Sequence, residues 1–337
     1  MRKLMGFALV MVAAFTAYTS YYFVYELPAR ELKFGGAVSY SLPVKSGSTL
    51  GLTLKTLHND GLIKYPKWIG VYARLFDKTQ IKKGEYLFKR HDTVADVLAK
   101  LNAGIVNYQS ITLIEGWSLK QVGERFGATF DQALTLESIA DKANVDGSLE
   151  GWIFPDTYYY SASDNPEKII LQAIKKMQTA LQQQWQLRDG GLPYEAPYDL
   201  LIMASLIEKE TAVDSEREQI ASVFINRLRK NMRLQTDPTV IYGMGDSYTG
   251  NIRRSDLRRP SPYNTYVHKG LPPTPIAMPS LRSLQAAAKP ASSSYVYFVA
   301  KGNGEHQFSV TLAEHNSAVD KYQRYSRAKD YKSVPSQ

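Results

Sequence analysis

The stretch LLIMASLIEKET, residues 200–211, decides how this chain is read. Seven of its first eight residues are apolar, Ser205 being the exception, and two carboxyls then flank a lysine as Glu208, Lys209 and Glu210. A helix that is apolar on every side belongs in a protein core. Its charged end has two explanations. It marks the point where the helix meets water, or it holds a carboxyl at the edge of an apolar pocket, where desolvation keeps the group protonated near neutral pH.

Glu208 and Glu210 are two positions apart, so a helix points them about 200° apart. They cannot act as a pair on one substrate, and one is expected to face inward and the other outward. Glu210 shares its stripe with Met203, Leu206 and Ile207, and Glu208 shares one with Leu201, Ala204 and Ser205. The bulkier stripe lies with Glu210, and a desolvated carboxyl suits a general acid. The chemistry therefore selects Glu210. Glu208 is expected as a solvated or salt-bridged residue of the helix end.

Working outward, residues 165–186 form an amphipathic helix with Ile169, Leu171, Ile174, Met177 and Leu181 on or near one stripe, ended by the Gly-Gly-Leu-Pro break at 190–193. A helix over 216–230 follows, with Ser215 and Glu218 in capping-box spacing. RLQTDPTVIYGMG (233–245) reads as a turn-rich connection and LPPTPIAMPS (271–280) as a proline-rich loop. YVYFVAKGNGEHQFSVT (295–311) reads as a hairpin turning at Gly302-Asn303-Gly304, and a last helix carries His315 to Tyr325. Upstream, a strand is expected from Ile111 to Leu113, and Ser118 is placed to cap a helix. GWIFPDTYYYS (151–161) is aromatic, either as core or as a wall on which sugars stack.

Arg2 and Lys3 precede an uncharged run from Met5 to Tyr25. It is long enough to cross a hydrocarbon core of roughly 30 Å. The leading positive charge places the N-terminus in the cytoplasm, and Tyr18, Tyr21, Tyr22 and Tyr25 suit the far interface. A retained anchor is favoured over a cleaved signal peptide, because no small-x-small site follows the run. From 40 to about 104 the chain reads as a small α+β module. Leu50, Leu54, Leu57 and Leu62 recur at helical spacing with Gly61 as C-cap, Gly84 is a turn, and EYLFKR is a strand. A helix from Thr93 to Asn102 is capped by Asp92 or Thr93 and followed by Gly104. The strand and helix resemble half of a LysM module, a small glycan-binding unit.

The expected fold class is thus α+β. Residues 1–4 are cytoplasmic, 5–25 a transmembrane helix, 26–39 a linker, 40–108 the LysM-like module, 109–330 a larger mixed α+β catalytic domain and 331–337 a tail. The 337 residues carry a net charge of +9, which suits an anionic partner. The charge is scattered, and its densest cluster, Arg253, Arg254, Arg258 and Arg259, reads as a solvated face. Export excludes nucleic acid as partner. The chain has no cysteine, which removes disulfides, thiol catalysis and Cys-ligated zinc. Its five histidines are dispersed, so neither a metal site nor a cofactor is expected.

Most glycosidases use two carboxyls, and Asp237 or Glu216 could supply a second. One suffices if the substrate brings its own nucleophile, as a muramic-acid sugar does through its 6-hydroxyl. The motifs then narrow the choice. EGWIFPDTYYY, MASLIEKETAVDSEREQIASVFINRL, MRLQTDPTVIYGMG, SPYNTY, GLPPTPIAMPS and YVYFVAKGNGEHQFS together resemble the YceG-like family of endolytic murein transglycosylases. The resemblance implies a single-pass inner-membrane protein with its body in the periplasm. Such a protein cuts nascent peptidoglycan glycan strands internally, beside the synthases that polymerise them. It implies that Glu210, the second glutamate of E-K-E-T, is the catalytic acid. It also makes Gln235, Thr236, Asp237, Asn264, Thr265 and Tyr266 candidates for orienting the acid and binding N-acetyl groups; each has a structural turn or cap as its alternative. Two rival functions are a muramidase with Asp237 as base and a non-catalytic glycan-binding scaffold.

Overall fold

The apolar run after Lys3 forms helix α1 (Arg2–Tyr21), extended by a π-helical turn over Tyr22–Glu26. Within it, Met5–Glu26 is long and apolar enough to cross a membrane. The computed structural model describes residues 2–130, 136–161 and 164–325, so the expected tail at 331–337 lies outside the described residues. The chain forms two compact units, one of Met1–Ser110 with Tyr159–Asp164 and one of Ile111–Tyr158 with Asn165–Gln337.

After α1 the first unit contains β1 (Ser39–Val44), α2 (Leu50–Asn59), α3 (Pro66–Leu75), β2 (Gly84–Lys89) and α4 (Val94–Ala103). β1 and β2 are antiparallel, with Tyr40 opposite Phe88 and Leu42 opposite Tyr86. Alternation sends Leu42, Val44, Tyr86 and Phe88 into the core. Thr49 caps α2 by accepting the Leu52 N–H, at 3.3 Å. Of the two candidate caps of α4 it is Thr93 that acts, in a reciprocal box with Asp96, and Gly104 closes the helix at φ 73°.

Two features of this unit differ from expectation. Helix α3 was not anticipated. Its buried residues Ile69, Tyr72 and Ala73 are interleaved with exposed Trp68, Val71 and Leu75, so no single apolar stripe stands out. Residues 26–39 are also not a free linker. Leu27 and Leu32 are buried in the core, and the Leu32, Val94 and Ala95 N–H groups bond to the Asp92, Arg30 and Pro28 carbonyls. Isolated leucines among Pro, Gly and charges carry no periodic signal, yet two suffice to tie the segment down.

The second unit includes the last residues of β3 (Gln109–Thr112) and the first of β4 (Thr157–Tyr160), has a β-hairpin and is otherwise mostly helical. Its helices are α5 (Leu119–Phe130), α6 (Leu136–Ala143), α7 (Pro166–Leu187), α8 (Pro197–Glu210), α9 (Arg217–Arg229), α10 (Asp237–Met244), α11 (Leu281–Ala288) and α12 (Leu312–Val319). The hairpin of β5 (Tyr297–Ala300) and β6 (His306–Ser309) lies between the last two, and Gly302 and Gly304 take the positive φ its turn requires. α8 is the central element. Leu200 through Glu208 are all buried, packed by Met177 and Leu181 of α7, Ile220 and Phe224 of α9, and Leu284 and Ala287 of α11. Ser205 explains its place in the apolar run. Its hydroxyl donates to the Ile202 carbonyl at 2.7 Å and accepts the Ile276 N–H at 3.1 Å, tethering the proline-rich loop.

Three local expectations change here. The segment 233–245 is not merely a connection, because Pro238 opens helix α10 within it. Its β-branched residues and two glycines hid the helix. α11 was also missed. Ser280 caps it by accepting the Ser283 N–H, and its small residues allow close packing on α8. The Ser215–Glu218 capping box does not form, because Ser215 lies inside a 3-10 turn, Asp214–Glu216, ahead of α9.

Truncating the centre of α8 tests this packing. Leu206→Ala is expected to destabilise the second unit by about 2–5 kcal/mol, read by denaturant unfolding in detergent. A loss under about 1 kcal/mol would contradict the central placement of α8.

Candidate active site

Glu208 is not solvated. Its Oε2 accepts from the Ser280 N–H (2.9 Å), the Ser280 hydroxyl (2.5 Å), the Ser283 hydroxyl (2.7 Å) and Arg217 (3.2 Å). Arg217 also donates to Ser283 at 2.6 Å and to Asp214 at 3.1 Å. This buried cluster joins the end of α8 to α9 and α11. The salt-bridge expectation for Glu208 holds, and the solvated alternative does not.

With Glu208 turned inward, helical geometry aims Glu210 the other way, into a cleft of about 1620 Å³. Small-molecule pockets measure roughly 300–1,000 Å³, so this cleft is of a size for an extended ligand. Its walls come from the start of α5, from α10 and from the β5–β6 hairpin. Glu210 is half-buried, and its Oε2 accepts the Thr236 hydroxyl at 2.7 Å. Burial pushes its carboxyl above the usual range. The Thr236 hydrogen bond, His306 and Arg227 oppose the rise, while Asp237 adds to it. Thr236 occupies the N-cap position of α10, yet its hydroxyl makes no cap bond. The group that normally closes a helix end is diverted to the carboxyl.

The sequence candidates divide into two groups. Glu210, Gln235, Asp237 and Tyr266 line the cleft. The Tyr266 hydroxyl donates to Asp237 at 2.6 Å. Gln235 is held at φ 51°, a conformation a glutamine rarely adopts. Its N–H reaches the Thr265 carbonyl, and the preceding carbonyls of Arg233 and Leu234 accept from buried Arg227. Thr236, Thr265 and Asn264 are buried instead. The Thr265 hydroxyl accepts the Thr236 N–H at 3.1 Å. The Asn264 amide donates to the Asp256, Leu257 and Arg259 carbonyls, and its oxygen accepts the Tyr266 N–H. Asn264 shapes a loop and does not face the cleft. Glu216, considered as a second carboxyl, is taken up by His306, whose backbone N–H and Nδ1 both lie 2.8 Å from it.

Glu150 also lines the cleft and was not singled out from the sequence. It accepts the Leu119 N–H at the start of α5, at 3.0 and 3.1 Å, and the Tyr242 hydroxyl at 3.0 Å. Burial pushes its carboxyl up to about 7. The only signal was an acid placed beside an aromatic run, and its partners are distant in sequence.

Two outcomes test this site. Glu208→Ala leaves buried Arg217 with only the half-exposed Asp214 carboxylate and strips the Ser280 and Ser283 donors of their acceptor, and is expected to cost about 3–5 kcal/mol of unfolding free energy. A cost below about 1 kcal/mol would contradict the cluster's role. The folded-state pKa of Glu150 is raised above its unfolded value, so the folded state binds the extra proton. Its contribution to stability is full at low pH and is lost as pH climbs from about 4.5 through about 7. Stability measured from pH 4.5 to 8 should fall by about 3 kcal/mol more in the parent than in Glu150→Gln. Identical slopes would contradict the burial of an ionisable carboxyl there.

Four matches bear on this arrangement. A model of the YceG-like family matches residues 42–321. An endolytic murein transglycosylase of Bacillus subtilis (strain 168) is 33% identical over 307 residues, covering 84% of each chain. An endolytic murein transglycosylase of Streptococcus pneumoniae serotype 2 (strain D39) is 27% identical over 320 residues, covering 81% of this chain, which spans 57% of that protein's length. Among solved structures, the 2.6 Å crystal structure of a yceG-like protein from Listeria monocytogenes superposes with a TM-score of 0.54. It is 28% identical and covers 83% of this chain and 98% of its own.

Proposed function

The chain belongs to the YceG-like family, and from that premise we propose that it is an endolytic peptidoglycan lytic transglycosylase. It cleaves the MurNAc–GlcNAc β-1,4 bond inside glycan strands and leaves 1,6-anhydroMurNAc ends. The observation that carries this reading is Glu210, a carboxyl raised by burial, on the wall of a cleft whose volume suits an extended ligand and fixed by the Thr236 hydroxyl.

In the proposed reaction protonated Glu210 gives its proton to the glycosidic oxygen as the C1–O bond breaks. Positive charge develops at C1 and the ring oxygen. The Glu210 carboxylate then takes the proton of the sugar's own 6-hydroxyl, whose oxygen closes on C1. No water is consumed, and the carboxyl returns to its starting state. Burial favours the acid needed first, and the Thr236 hydrogen bond steadies the carboxylate formed next. Gln235, Asp237 and Tyr266 are available to hydroxyl and N-acetyl groups of the strand. Thr265 and Asn264 act behind them, as orienting groups. The LysM-like module adds glycan contact. The apolar N-terminal helix holds the protein in the inner membrane, with its body in the periplasm. There it limits strand length beside the synthases.

Mass spectrometry of the products from purified peptidoglycan tests the assignment. The parent should yield anhydro-ended fragments and Glu210→Gln none. Hydrated reducing ends would make the protein a muramidase with Asp237 as base, and equal products from both proteins would remove Glu210 from the mechanism. Thr236→Val should lower turnover about 10- to 100-fold, the worth of a hydrogen bond to a charged group. The lost hydroxyl lowers the Glu210 pKa, so its removal raises that pKa further and moves the basic limb of the pH–rate profile to higher pH. An unmoved limb would contradict the coupling of the two groups.

A further inference from the structure

Helix α3 carries two apolar stripes where a core helix needs one. Ile69, Tyr72 and Ala73 are buried in the first unit. Trp68 and Leu75 are 59% and 69% exposed, and Val71 is also exposed. Positions 68, 71 and 75 fall within about 60° of one another on a helix, so these side chains form one continuous outer strip. Phe76, just past the helix end, adds another exposed ring. Lys67 and Arg74, both exposed, lie along the strip's edge away from the core. Between residues 64 and 78 the basic residues are Lys64, Lys67, Arg74 and Lys78, against a single acid, Asp77.

The position of this strip is not arbitrary. Phe23 belongs to the final turns of the apolar Met5–Glu26 segment. Its ring meets Trp68 edge-on at 6.1 Å and Tyr72 at 6.0 Å. Arg30 lies over the rings of Tyr22 and Tyr65, at 5.2 and 5.4 Å. Trp68 therefore sits level with the end of the apolar segment, among aromatic rings and cations, the composition of a membrane–water interface. An apolar stripe edged by lysine and arginine is what an interfacial helix presents to anionic lipid.

We propose that α3 is a lipid-binding helix: its Trp68–Val71–Leu75 strip enters the interface of an anionic bilayer beside the exit of the N-terminal helix. The proposal rests on that helix residing in a membrane. The contact makes a second attachment, which holds the first unit against the lipid surface instead of leaving it to swing on one helix.

The chain contains no cysteine, so one introduced cysteine carries one label. The full chain is reconstituted in phosphatidylethanolamine–phosphatidylglycerol vesicles with a nitroxide at Val12→Cys, Val71→Cys or Leu75→Cys, each alone. Collision with oxygen, which concentrates in lipid, is compared with collision with a water-soluble nickel chelate. The expected result is a lipid signature at all three positions, shallower at 71 and 75 than at 12. Adding Lys67→Glu with Arg74→Glu should shift positions 71 and 75 toward water in these vesicles, and much less in pure phosphatidylcholine. A lipid signature at 12 with water exposure at 71 and 75 would overturn the proposal and keep the anchor. Shielding of 71 and 75 from both probes would also overturn it, since a protein would then cover the strip. Water exposure at 12 would remove the membrane reading and the proposal with it. A charge reversal without effect would overturn the preference for anionic lipid.

Discussion

Four donors converge on one carboxylate oxygen of Glu208, and the direction in which the end of α8 presents Glu210 depends on that point. The cluster fixes the end of α8 against the start of α9 and the cap of α11. An ion inside a protein persists only when its partners are in place, so the three elements hold one geometry or none. Ser205 repeats the device one turn earlier, through the Ile276 N–H. Once Glu208 is committed to the interior, the pitch of the helix leaves Glu210 no direction but the cleft. A residue without a place in the proposed chemistry thereby aims the residue proposed to carry it.

Desolvation governs the cleft. The carboxyls of Glu150 and Glu210 are both pushed up by burial, as are the hydroxyls of Tyr242 and Tyr266. Such surroundings favour neutral acids, and a carboxyl that must first give a proton and then accept one needs a modest bias of this kind. The Thr236 hydroxyl, released from capping α10, counters the bias. Buried Arg227 supports the same corner. It binds the carbonyls of Arg233 and Leu234 and so holds the strained Gln235 beside the acid.

The parts legible in the sequence were those in which local pattern and final environment agree. The apolar run of α8, the stripe of α7, the Gly-Asn-Gly hairpin and the Thr93 cap each declare themselves within a few residues. What escaped was set by distant partners. α3 buries one stripe and exposes another, which blurs its period. α10 hides in a sequence of β-branched residues and glycines. Glu150 gains its meaning from Leu119 and Tyr242, 31 and 92 residues away. Periodicity placed the two glutamates on opposite faces, and the E-K-E-T match fell on Glu210. Neither could show that the inward residue is the better bonded of the two, since Ser280 and Ser283 lie more than 70 residues on.

The proposed reaction requires Glu210 to hold a proton when it meets its substrate, the state that burial favours. Infrared difference spectroscopy of the parent against Glu210→Gln, recorded at pH 7, measures this directly. The account predicts a protonated-carboxyl C=O stretch that is present in the parent and absent from the variant. A difference spectrum containing only carboxylate stretches would contradict it, because the site would then hold a base where the proposed reaction begins with an acid.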